Sequence, residues 1–161
     1  MLLVAVFLPR EFSIEQKALI DGSIQQTRNL LFDMKHWPQL MAWKQYATKA
    51  QVHISDPSHT LGATVFVQTS HADIEVSITE LTKSHLRYSL LINNEHRVFG
   101  RFTLLVQENK LALQHNLQGT IHSTVSGGVI VLFIRSLADE MFTSSVNNLQ
   151  TQLKLVQKEM Q

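Results

Sequence analysis

The amino-acid sequence predicts an α+β fold, one antiparallel sheet followed by a long C-terminal helix. Three observations carry this. From about Tyr46 onward apolar residues recur at every second position, in segments separated by short polar breaks. Those breaks are too short for the crossovers of a parallel sheet, so consecutive strands form an antiparallel meander. After Gly127-Gly128 the period turns helical and stays so through about 30 residues, on the order of 45 Å at ~1.5 Å per residue.

Taken in order, FSIEQKALI (12–20) alternates well enough for a first strand, with Phe12, Ile14 and the run from Ala18 to Ile20 as its apolar positions. Asp21-Gly22-Ser23 is turn chemistry, and either Asp21 or Ser23 is placed to cap the helix that follows. Ile24, Thr27, Leu30 and Leu31 fall at helical spacing, which predicts about two turns. That helix should end before Trp37, because Pro38 biases its predecessor away from helix. The next segment, HWPQLMAW (36–43), holds both tryptophans of the chain, and a connection this apolar must fold onto something.

Strands are expected near 47–54, 62–70, 72–81, 85–93, 96–107 and 110–121. Asn93-Asn94 and Glu108-Asn109 look like tight hairpin turns, since Asn tolerates positive φ. Ala72, Ile74, Val76 and Ile78 share one face of their strand while Asp73, Glu75 and Ser77 share the other, so one sheet face is wet. In the helix, Val129, Phe133, Leu137, Met141, Leu149, Leu153 and Met160 trace an apolar stripe at i, i+4 spacing or near multiples of it.

At 161 residues the chain suits one domain with a substantial core. Fourteen basic against 13 acidic residues, with no basic cluster on one predicted face, argue against a nucleic-acid partner. The absence of cysteine excludes disulfides, thiolate metal sites and cysteine catalysis. The opening run MLLVAVFL ends at Pro9-Arg10 and is too short to cross a bilayer alone, which takes about 20 apolar residues. It is open to three readings: an interior or edge strand, a shallow membrane or partner contact, or the tail of a longer anchor. Residues 1–10 are therefore set apart from a domain spanning 11–161. The expected location is the cytoplasm, with membrane association through residues 1–9 left open.

No nucleophile elbow, phosphate-cradling loop, dinucleotide fingerprint or HExxH helix is present, and no cofactor or metal is expected. Asp73 and Glu75 pair on one face, but on the wet one, where nothing splits their pKa values. His115 and His122 are seven apart on one strand, on opposite faces, and the other histidines fall mostly at turns or strand ends. His115 differs, because Leu111, Leu113, His115, Leu117 and Ile121 share the apolar face. It is either satisfied structurally or a polar handle for a ligand. Tyr88, in phase with Leu86, Leu90 and Ile92, has the same two readings.

The order of strand, short helix, tryptophan-bearing segment, six-stranded meander and long amphipathic helix resembles the helix-grip domain of the START-like, or SRPBCC, superfamily. The resemblance is nearest to the bacterial polyketide cyclase/dehydrase branch and covers about residues 12 to 159. FSIEQKALIDGSIQQTRNLLFDMKHWPQLMAW is similar to the family's opening, and Leu61-Gly62-Ala63-Thr64-Val65 to the glycine-led strand that follows. Ile78-Thr79-Glu80-Leu81, Gly100-Arg101-Phe102-Thr103-Leu104 and the closing FTSSVNNLQTQLKLVQKE match later elements. His115 departs from the pattern, standing where relatives often carry an aromatic.

The resemblance implies a curved sheet wrapped around the C-terminal helix, with an apolar cavity between them. Trp37 and Trp43 would plug one end of it, or would merely close the core. The expected lining is Trp43, Phe66, Tyr88, Phe102, His115 and Met141, with Phe66 sensitive to a one-residue slip of register. The leading expectation is a non-catalytic binder of a hydrophobic small molecule, a lipid or aromatic metabolite. The alternatives are a cyclase, dehydratase or hydrolase using Tyr88 and His115, or a membrane-tethered accessory protein. No residue is assigned a catalytic role, since no third group orients the Tyr–His pair. A cavity with no enclosed polar pair would favour the binder, and hydrogen-bond contact between Tyr88, His115 and trapped water the enzyme.

Overall fold

The period-two segments form strands close to where the pattern puts them. The computed structural model describes residues 11–41, 43, 49–70, 72–120 and 127–159, with backbone alone at 127–134, 136 and 159. The strands are β1 (Glu11–Ile20), β2 (Gln51–Ile54), β3 (Thr64–Gln68), β4 (Asp73–Leu81), β5 (His85–Ile92), β6 (His96–Gln107) and β7 (Lys110–Thr120). They make one seven-stranded sheet in the order β1-β7-β6-β5-β4-β3-β2, antiparallel at every pair. The sheet curves, and the long C-terminal helix, α3 (Gly127–Glu159), lies against its inner face. The expectations for residues 1–10, for Ile121 and Met160 and for the side chains of Val129 and Phe133 lie outside the described residues.

Both expected hairpins have the backbone their residues suggest. Asn93 and Asn94 sit at φ 52 and 56, and Glu108 and Asn109 at φ 48 and 65. Two successive left-handed residues give the turn whose twist matches that of the flanking strands.

Ser23 is the residue that caps α1 (Ile24–Leu31), its hydroxyl accepting from the Gln26 amide. Beyond it the chain makes a 3-10 turn at Met34–His36 and a short helix, α2 (Trp37–Leu40). The segment expected to be a non-helical connection is thus helical from Trp37. Pro38 falls in the first turn of α2, where a missing N–H costs nothing, and Trp37 adopts helical dihedrals before it. Trp37 is 2% exposed, and its indole Nε1 donates to the Leu31 carbonyl, an acceptor otherwise orphaned at the end of α1. Asn148 of α3 donates to the carbonyls of Gln39 and Leu40, and Gln150 to that of Leu19 on β1. The helix is thereby tied to α2 on one side and to the sheet edge on the other.

The buried face of α3 runs through Ala138, Leu149 and Leu153, with Phe142 and Val146 packed on the core between them. In its N-terminal half this face lies one residue beyond the expected stripe, for Ala138 is buried and Phe142 packs on the core where Leu137 and Met141 were expected to. Stepping by four advances about 400° at ~100° per residue, so each step drifts about 40° and four steps leave the face.

Candidate functional site

Strand register assembles the site. On the inner face Tyr88, Gly100, Leu117 and Ile14 lie in one row across β5, β6, β7 and β1. Leu86, Phe102, His115 and Gln16 lie in the next. Gly100 has no side chain, and the Tyr88 ring occupies the space above it, where an added Cβ would overlap the ring. Lying across Gly100, the phenol reaches the neighbouring row, and Tyr88 Oη meets His115 Nε2 at 2.8 Å.

Rings surround this contact. The imidazole stacks on Phe102 with centroids 4.3 Å apart and planes at 16°, and on Phe142 of α3 at 5.8 Å and 12°. Trp37 stands edge-on to Tyr88 at 5.3 Å and to Phe102 at 6.0 Å. The other imidazole nitrogen, Nδ1, faces Gln16 Oε1 at 3.2 Å, and Gln16 Nε2 donates to Asp139 Oδ1 at 2.8 Å. Burial pushes the His115 pKa down to about 3 and the Tyr88 phenol above its usual range. The pair is therefore neutral near pH 7.

Of the six residues expected to line a cavity, Tyr88, Phe102 and His115 come together in this cluster. Trp43 is half-buried and packs on the same core. Met141 is half-buried, and Phe142, one residue on, lies against His115. Phe66 is a correction. It is 36% exposed and paired with His53 and Glu75, while Val65 and Val67 turn inward. The register puts it on the outer face, where it lines no interior site.

Four contributors escaped the sequence reading: Trp37 as a member of the ring cluster, Phe142, Gln16 and Asp139. Gln16 had a signal, since it occupies the inward phase of β1 between Ile14 and Ala18, a polar residue on the apolar face as His115 is. Asp139 had none, being far from Gln16 in sequence.

The inner face is unevenly covered. Toward one end Leu86, Leu104 and Leu113 are 2% exposed or less. Toward the other, Ile74, Leu90, Ile92 and Leu117 are half-buried on the inward phase, beside the buried Phe12, Val76 and Val98. Leu90 and Leu117 pack on both the main core and a smaller cluster of Phe12, Ile14, Val98 and Ala138. The Tyr88–His115 ring group lies at this junction.

On the outer face, an open hollow of about 740 Å³ lies over β4–β7 and β1, bordered by Arg87, Phe99, Arg101, Leu105, Asn116 and Gln118. No set of three His, Cys, Asp or Glu among the described residues is arranged to hold a metal ion. No helix of the described residues is long and apolar enough to cross a membrane.

No family model and no curated protein sequence matches the chain. Solved structures do match in shape. A START superfamily protein from Mycobacterium smegmatis superposes with a TM-score of 0.61 at 11% identity, covering 89% of this chain and 98% of the other. The di-domain ARO/CYC StfQ from the steffimycin biosynthetic pathway gives 0.67 at 8% identity, over 92% of this chain and 52% of the larger protein. A protein of unknown function from Staphylococcus aureus gives 0.68 at 8% identity, over 89% and 96%. At such identities the likeness is one of fold.

Proposed function

We propose that this chain, which has the START-like helix-grip fold, is a binding module for an apolar or amphipathic small molecule held between sheet and helix, with residues 11–161 as the binding domain. The observation that carries the reading is the uneven cover of the inner face. Ile74, Leu90, Ile92 and Leu117 keep apolar surface uncovered on the face where Leu86, Leu104 and Leu113 are 2% exposed or less. Covering such surface is worth about 25 cal/mol per Å², and a lipid or aromatic metabolite supplies the cover. The ring group around Tyr88 and His115 borders this strip, Tyr88 lying in one row with Leu117.

An enclosed Tyr–His pair is also what a cyclase, dehydratase or hydrolase reading asks for. Its protonation weighs against that reading. A general acid–base pair works best with pKa values near the operating pH, and here burial drives the imidazole down to about 3 and the phenol up. The phenol and His115 Nε2 are bonded to each other, so neither the Tyr88 proton nor the imidazole lone pair is free for proton exchange with a substrate.

Tryptophan emission tests the binding reading, because Trp37 touches Tyr88 and Phe102 and Trp43 packs on the same core. Titration with fatty acids, sterols and aromatic polyketides should give a saturable shift or quench for at least one class. Emission that stays flat for all three would overturn the proposal.

A further inference from the structure

A series of four hydrogen-bonding side chains runs from the core to the surface of α3, and its chemistry permits one direction only. It ends at Asp139, an exposed carboxylate that only accepts. Gln16 turns its amide nitrogen to that carboxylate at 2.8 Å, which leaves its carbonyl oxygen facing His115 Nδ1 at 3.2 Å. That oxygen also only accepts, so the single proton of the neutral imidazole resides on Nδ1. His115 Nε2 is then a lone pair, and the Tyr88 hydroxyl donates to it across 2.8 Å. The Tyr88 proton is committed inward along the series. Among the described residues Tyr88 Oη makes this one hydrogen bond, so what it has left for a ligand is a lone pair.

We propose that Asp139, from the protein surface, sets the hydrogen-bonding polarity of Tyr88, and so gives the interior a preference for apolar ligands bearing a hydroxyl over the matching ketones. The inference rests on the binding reading above. A ligand hydroxyl satisfies the free lone pair of Oη. A ligand carbonyl would set lone pair against lone pair and go unbonded, a loss that corresponds to about tenfold in affinity. Asp139 acts through Gln16 and His115 and is a positioning residue, not a ligand contact.

The test uses the full chain, with a saturated fatty alcohol and the methyl ketone of the same length as probes. Nitrogen-resolved NMR of the imidazole reports which nitrogen of His115 carries the proton. In the wild type we expect the Nδ1–H form and about tenfold tighter binding of the alcohol. Asp139→Lys replaces an acceptor by a donor at an exposed position. Gln16 should turn its carbonyl outward, His115 should become Nε2–H and donate to Oη, and the freed Tyr88 proton should reverse the preference toward the ketone. An Nε2–H form in the wild type, or an alcohol preference unchanged in Asp139→Lys, overturns the inference. Equal binding of alcohol and ketone overturns it while leaving the binding reading in place. Binding of neither probe, with His115 still Nδ1–H, removes the binding reading and takes the preference with it.

Discussion

Tyr88 Oη and His115 Nε2 lie 2.8 Å apart in the core, joining β5 to β7 across the bare backbone of Gly100. Each group is the other's means of being buried. Replacing His115 with leucine fills its volume but strands the Tyr88 hydroxyl, which should cost about 1–3 kcal/mol. Adding Tyr88→Phe removes the stranded group as well. The double variant should therefore recover part of the loss, a non-additivity that denaturant melts of the four species in the cycle would measure.

The buried imidazole also makes stability depend on pH. Its folded pKa is about 3, against roughly 6.5 in an unfolded chain. Below about pH 6.5 the unfolded chain takes up a proton that the folded one does not, so stability falls as pH drops from there toward 3. The contribution is at most about 1.4 kcal/mol per pH unit. His115→Gln should flatten the stability profile in that window by about this slope. His36, Asp33 and Glu80, whose pKa values are also lowered, are common to both proteins and cancel in the comparison.

The C-terminal helix should be held through its buried face. Leu153 is fully buried on the core, and Leu153→Ala should cost about 2–5 kcal/mol in a denaturant melt. Asn147 is exposed on the same helix, and Asn147→Ala should stay within about 0.5 kcal/mol of the wild type.

Gly100 should tolerate no side chain. A methyl group there overlaps the Tyr88 ring, so Gly100→Ala should displace the phenol and destabilise by about 1–3 kcal/mol. The displaced ring should also lose its His115 contact, visible as a changed tyrosine signal in near-UV circular dichroism.

The elements were legible because each is written locally. Alternation placed the strands, Asn93-Asn94 and Glu108-Asn109 placed the two hairpins, and the change of period after Gly127-Gly128 placed the helix. Tyr88, Phe102 and His115 could be grouped because they fall on the apolar phase of their strands. Phe66 was misplaced because it, too, alternates, and period two alone does not say which phase faces the core. Phe142 was missed because a ladder of fours drifts off a helix face with 3.6 residues per turn. The partnership of Gln16 with Asp139 depends on where α3 lies against β1, which no local pattern encodes. Trp37 was ambiguous for a related reason, since the sequence shows an apolar segment but not whether it seals a core or edges a cavity.

The most direct test of the binding account is methyl-resolved NMR of the full chain during titration with the saturated fatty alcohol. The account predicts saturable shifts at Ile74, Leu90, Ile92 and Leu117, half-buried on the inner face, with Leu86, Leu104 and Leu113 little changed. Saturation without movement of the methyl groups of those four residues, or with shifts confined to the outer-face hollow at Leu105, would contradict it.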